Sequence, residues 1–192
     1  MLNQIVHFLL ELAAGLIGGA CLLRAYMQAQ RVPFGNPIGR FVLALTDWLV
    51  LPLRRGLPKG ARWDLASLLA AWLVKLVQFT LVWLLAGRML VGWGWVPVLA
   101  SFGLVQMAIS GLSALLILYA VLSWVQPGGG SPLAYVVERL CAPLLAPFRN
   151  VIPLVGGVDL SPLALLVLLQ VAAIVLANLQ HMVMGMGAVL VG

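Results

Sequence analysis

Four apolar stretches, residues 5–27, 66–87, 98–125 and 162–182, reach the roughly 20 residues that an α-helix needs to cross a bilayer core. Little else competes for this chain. It is 64% hydrophobic and 8% charged, with mean hydropathy +1.12, whereas a soluble domain carries about a quarter charged residues. In water it would expose large apolar patches and aggregate. The expectation is an all-α, polytopic membrane protein with four transmembrane helices. Its 192 residues leave no length for a separate soluble domain.

The segment 36–69 recurs, degenerate and without gaps, 95 residues later. Pro37, Pro52, Arg54, Pro58 and Asp64 meet Pro132, Pro147, Arg149, Pro153 and Asp159. All are residues that fix backbone or carry charge. The chain therefore divides into repeats 1–94 and 95–192, each with two spans and one polar loop, 28–65 and 126–161. An even number of spans per repeat makes the copies parallel, unlike the inverted repeats of many transporters.

Charge sets the orientation. Arg31, Arg40, Arg54, Arg55, Lys59, Arg62, Arg139 and Arg149 lie in the two loops, and Arg24 sits at the adjoining end of span one. Arg88 alone lies opposite. The positive-inside rule places both loops in the cytoplasm and both termini outside, in contact with anionic lipid head groups. The net charge of +6 is thus topology rather than nucleic-acid binding, for which no soluble module or stacking surface is present.

Two apolar pieces, 37–51 and 132–146, are too short to cross. Apolar positions spaced at i, i+4 and i+7 with scattered charges suit helices lying in the interface, with a re-entrant hairpin as the alternative. Prolines fix φ and remove a donor, so Pro52 and Pro147 are expected to end these helices. Pro58 and Pro153 then bound the loop motif. An arginine between such corners can pair with a carboxylate or a lipid phosphate. The favoured reading is a loop pinned by Arg54–Asp64 and Arg149–Asp159 pairing; the sharper one is a ligand or partner site. Ser161 is expected to cap span four, with Pro162 at its first position.

Inside the spans, Glu11 and Lys75 are costly unless paired or functional. The 95-residue offset carries them to Gln106 and Gln170. At a rise of ~1.5 Å per residue, Glu11 lies about 22 Å from Tyr26 and Lys75 about 15 Å from Leu65, so the lysine could reach the glutamate. An ion pair with interhelical amide bonds is favoured over an ion pathway.

Signatures of chemistry are missing. Cys21 and Cys141 have no CxxC spacing and are expected to be small buried hydrophobes. Gly18-Gly19-Ala20-Cys21 lacks the basic lead of a lipoprotein signal, and the first span is expected to be retained. His7 and His181 have no carboxylate or thiol cluster around them. No phosphate-binding glycine loop or nucleophile elbow is present, so neither an enzymatic activity, a cofactor nor a metal is expected.

The doubled pattern Asn36-Pro37, Pro52-Leu53-Arg54-Arg55, Leu57-Pro58, Asp64 and Ser131-Pro132, Pro147-Phe148-Arg149, Ile152-Pro153, Asp159-Leu160-Ser161-Pro162 resembles the YggT family, called YlmG in other bacteria and plastids. The resemblance runs from Leu22-Leu23-Arg24 into span four. It implies a bacterial inner-membrane protein supporting osmotic-stress tolerance and potassium homeostasis, directly or by modulating a transporter. Alternatively it implies a membrane assembly or organising factor, since relatives are linked to nucleoid distribution, division and cytochrome b6 haem maturation. A membrane-protein partner follows from either. No catalytic residues carry over. The second loop departs from the first in having Asn150 where the first has Arg55.

Overall fold

Six helices make up the residues that the computed structural model describes, 2–57, 63–85, 93–125, 131–151 and 159–191. They are α1 (Leu2–Ala29), α2 (Pro37–Arg55), α3 (Leu65–Leu85), α4 (Trp95–Val125), α5 (Pro132–Arg149) and α6 (Ser161–Val191). Four of them, α1, α3, α4 and α6, are long and apolar enough to cross a membrane. The chain has the architecture of a multi-pass membrane protein, and no strand occurs among the described residues.

The short helices α2 and α5 begin alike. Asn36 and Ser131 are their N-caps, accepting hydrogen bonds from Gly39 N (2.7 Å) and Ala134 N (3.1 Å), and Pro37 and Pro132 supply the pre-set φ of a first turn. Their ends depart from expectation. Neither stops at its proline: Pro52 lies inside α2, and Pro143 and Pro147 lie inside α5. All three rings occupy exposed positions. The carbonyls they leave without an N–H therefore face outward instead of being buried unsatisfied, and the helices run on to Arg55 and Arg149. Pro58 and Pro153 lie outside the described residues, as do Lys59, Arg62 and Arg88.

Span starts also differ in detail. Asp64 caps α3, its carboxylate meeting Ser67 N (3.4 Å) and Ser67 Oγ (2.7 Å). Ser161 does not cap α6; its backbone N–H donates to Asp159 Oδ1 (2.9 Å), and its buried hydroxyl has no partner among the described residues. The carboxylate two residues upstream has taken the capping role. α1 ends in a Schellman turn, with Val32 N bonded to Met27 O (2.9 Å), Arg31 N bonded to Gln28 O (3.0 Å), and Arg31 at φ 53°.

Contacts divide the chain into two compact units, 1–108 and 109–192, so that α4 contributes its first part to one and its second part to the other. In the first unit, Cys21, Val50, Ala66, Ala70 and Ala71 form a small-residue core that lets α1, α2 and α3 approach closely. At Gly18 of α1 a Cβ would meet the side-chain end of Met107 on α4 at 3.0 Å and Val74 of α3 at 3.6 Å. In the second unit the core is Leu116, Val137, Cys141, Leu145 and Leu165. These cores correspond by position. An offset of 95 residues carries Cys21 to Leu116, Val50 to Leu145, Ala70 to Leu165, and the buried pair Val42 and Thr46 to Val137 and Cys141.

Candidate functional site

The polar end of the first unit is built around Asp64, which is only 4% exposed. Three elements converge on it. Arg54, in the last turn of α2, pairs with Asp64 Oδ2 through Nη2, which also donates to Gln28 Oε1 of α1 (2.9 Å). Ser67, in the first turn of α3, binds the same oxygen. Arg24, near the end of α1 and 2% exposed, donates through Nη1 to Thr46 Oγ1 (2.8 Å) and to Asp47 Oδ1 (2.8 Å) of α2. Its Nε points toward Asp64 Oδ2 at 3.8 Å, beyond hydrogen-bond range, and has no hydrogen-bond partner among the described residues. Burial raises the Asp64 pKa, but the hydrogen bonds from Arg54 and Ser67 outweigh it and hold the carboxyl below its ordinary value.

The second unit repeats the pair and changes its surroundings. Arg149 Nε donates to Asp159 Oδ2 (2.8 Å), and Arg149 Nη2 to the phenol oxygen of Tyr119 (2.7 Å). Tyr119 stands 95 residues after Arg24, Cys141 after Thr46, and Ala142 after Asp47. The inner cation and its carboxylate are thus absent. Burial opposes ionisation of Asp159 too, but the Ser161 and Arg149 hydrogen bonds prevail and lower its pKa. Burial pushes the Cys141 thiol up to about 12 against the attraction of Arg149, so it stays protonated and inert at neutral pH.

Both loop pairings expected from sequence are present. The Glu11–Lys75 pair is not. Lys75 Nζ donates instead to Gln78 Oε1 on its own helix (2.8 Å) and lies 6.0 Å from the Phe79 ring centroid. A partner one turn away needs no reach across helices, and Glu11 lies on an exposed face of α1. Gln106 and Gln170 are exposed as well. Arg55 is exposed and makes no ion pair among the described residues.

Sequence reasoning missed Arg24 as a site residue, treating it as a marker of orientation, and it missed Gln28, Thr46, Ser67 and Tyr119. The available signal was the offset itself, which exchanges a cation for a phenol at the polar edge of a span. Among the described residues no group of three or more His, Cys, Asp or Glu could hold a metal.

One family model, CCB3/YggT, matches the chain twice, over residues 3–85 and 98–180, and so covers most of it. The chain belongs to the CCB3/YggT family. The starts of the two matched segments differ by 95 residues, the same offset that relates the loops and the cores. It is similar to the Escherichia coli (strain K12) protein named YggT, at 34% identity over 166 residues covering 85% of each chain. A Pseudomonas aeruginosa relative is 37% identical over 185 residues, covering 94% of this chain and 93% of its own. A Vibrio alginolyticus relative is 35% identical over 164 residues, covering 82% and 85%. The names of these CCB3/YggT relatives assign no activity. No solved structure matches the chain.

Proposed function

We propose that this CCB3/YggT protein is a non-enzymatic scaffold of the bacterial inner membrane that works by binding another membrane protein. The first class of partner is a transporter serving potassium homeostasis under osmotic stress. The chain is read as a parallel tandem duplication, repeats 1–94 and 95–192, with α2 and α5 as interfacial helices, both polar loops cytoplasmic and both termini periplasmic. The twofold family match and the position-by-position agreement of the cores support the duplication. Loop charge supports the orientation.

One observation carries the partner. Glu11, Gln106 and Gln170 lie within helices long and apolar enough to span, yet on exposed faces. A charge facing hydrocarbon at mid-helix costs about 2.5–3.5 kcal/mol on insertion scales, so such residues normally face protein or water. Contact with a second protein removes that cost. Pore lining by these residues is disfavoured, because Lys75 donates to Gln78 within α3 and makes no salt bridge with Glu11.

Photo-crosslinking amino acids at positions 106 and 170 test this in native membranes, with Val167 and Ile174, exposed and apolar, as controls. Discrete protein adducts from 106 or 170 that are absent at 167 and 174 are expected. Mass spectrometry of those adducts then separates a transporter from a division, nucleoid or cytochrome-assembly component. Adducts to lipid alone at every position would end the scaffold reading.

A further inference from the structure

The exposed pocket-like features of the spans say nothing of what covers them, but the polar end of the first unit does point to a ligand. Arg54 holds Asp64 and Gln28 with one nitrogen, Nη2; its Nε and Nη1 make no hydrogen bond among the described residues, and its side chain is 41% exposed. Arg24, behind it, keeps a buried Nε–H without an acceptor among the described residues, although a buried donor in native protein is nearly always satisfied. That N–H lies 3.8 Å from Asp64 Oδ2. A shift of about 1 Å would bring it into hydrogen-bond range. Asp64 thus has a donor in use at the surface and a donor in reserve beneath.

We propose that Arg54 is an exchangeable arm, which leaves Asp64 to bind a phosphate-bearing anion at the membrane surface while Arg24 Nε takes its place on the carboxylate. The guanidinium fork matches phosphate oxygens. Exposed Arg55 follows Arg54 directly and adds a second positive charge. Within the network itself, Arg24, Arg54 and the adjoining Arg55 against Asp47 and Asp64 leave a surplus of one positive charge. In the second unit Arg149 faces Asp159, Asn150 stands in place of Arg55, and Tyr119 offers an acceptor and no reserve cation. That end is balanced, and releasing Arg149 would strand Asp159 without a second arginine. The anion therefore belongs to the first unit alone. The shared chemistry is the phosphate group, carried by an acidic lipid or free.

Calorimetric titration of the full chain in neutral detergent tests this with three probes: dioctanoyl phosphatidylglycerol, dioctanoyl phosphatidylcholine and inorganic phosphate. One site for phosphatidylglycerol and none for phosphatidylcholine is expected. Binding of inorganic phosphate as well would identify the phosphate group as sufficient, and binding of the acidic lipid only would identify the head group in its lipid setting. Arg54→Gln should lower affinity by about tenfold or more, and Arg149→Gln should leave it within about twofold. Gln28→Ala removes only a competing acceptor of Arg54, so it should raise affinity by about two- to fivefold. A purely structural Arg54 would give no such gain. Absence of binding to both anions, or weaker binding in Gln28→Ala, overturns the proposal even where Arg54→Gln fails to fold. Neither outcome touches the crosslinks at positions 106 and 170, so this site and the partner reading fail separately.

Discussion

Arg149 donates a 2.7 Å hydrogen bond to the phenol of Tyr119, the residue that stands 95 positions after Arg24. Where the first unit buries a cation between two carboxylates, the second uses a neutral hydroxyl to hold its one arginine. The same frame therefore carries two electrostatic designs, one buried and one open. Their stabilities should respond differently to substitution.

Arg24→Ala should cost about 3–5 kcal/mol, since removing one partner of a buried ionic network leaves the others uncompensated. Tyr119→Phe removes one acceptor from an exposed arginine and should cost about 1 kcal/mol or less. Equilibrium unfolding of both variants in detergent micelles measures the contrast. Equal costs would mean that Arg24 is solvated in solution.

Acid should weaken the first unit through Asp64. Its folded pKa lies below the unfolded value of about 3.9. A carboxylate of this kind stabilises the fold above its unfolded pKa and loses that contribution as pH falls through the folded one. Melting temperature should therefore drop below about pH 4, more steeply in wild type than in Asp64→Asn. Parallel curves for the two proteins would remove Asp64 as the cause.

Gly39 cannot become alanine without damage. A Cβ there would lie 2.6 Å from the Cα and carbonyl oxygen of Phe34, and backbone does not move aside cheaply. Gly39→Ala should destabilise by about 1–3 kcal/mol. The position 95 residues on is Ala134, buried and N-H bonded to Ser131 Oγ, so the second unit already tolerates the methyl group. Ala134→Gly should cost only about 0.5–1 kcal/mol. Thermal melts of the two single variants decide the order.

Arg31 adopts φ 53°, a conformation that costs a non-glycine residue about 1–2 kcal/mol. Arg31→Gly should raise stability by up to about 1 kcal/mol, measured by unfolding in micelles. A loss instead would show that the Arg31 side chain contributes more than its backbone strain removes.

The spans were legible because a bilayer imposes length and apolarity that no other environment demands together; 66–87 was expected and Leu65–Leu85 is observed. Arg54–Asp64 and Arg149–Asp159 were legible because the 95-residue recurrence in the sequence displayed the same pair twice. Proline misled. Pro52 and Pro147 read as helix ends, yet a proline on an outward face leaves a carbonyl that surroundings can satisfy, and which face it takes is a tertiary fact. Lys75 misled likewise, since depth along a helix does not say where a flexible side chain turns. Arg24 went unread because its role depends on Thr46 and Asp47, a loop and more than two turns of helix away, and its counterpart Tyr119 shares no chemistry with it.

The outward prolines also have a consequence for immersion. Pro52, Pro143 and Pro147 withhold three N–H groups from carbonyls on the open sides of α2 and α5. Hydrocarbon offers such oxygens no donor. On the interfacial placement proposed above, these helices cannot sink past the level that water and polar lipid groups reach, while Phe41, Trp48 and Leu51 on exposed positions of α2 resist being lifted clear of it. On that reading α2 is held at a waterline, and the spans joined to it take their depth from it.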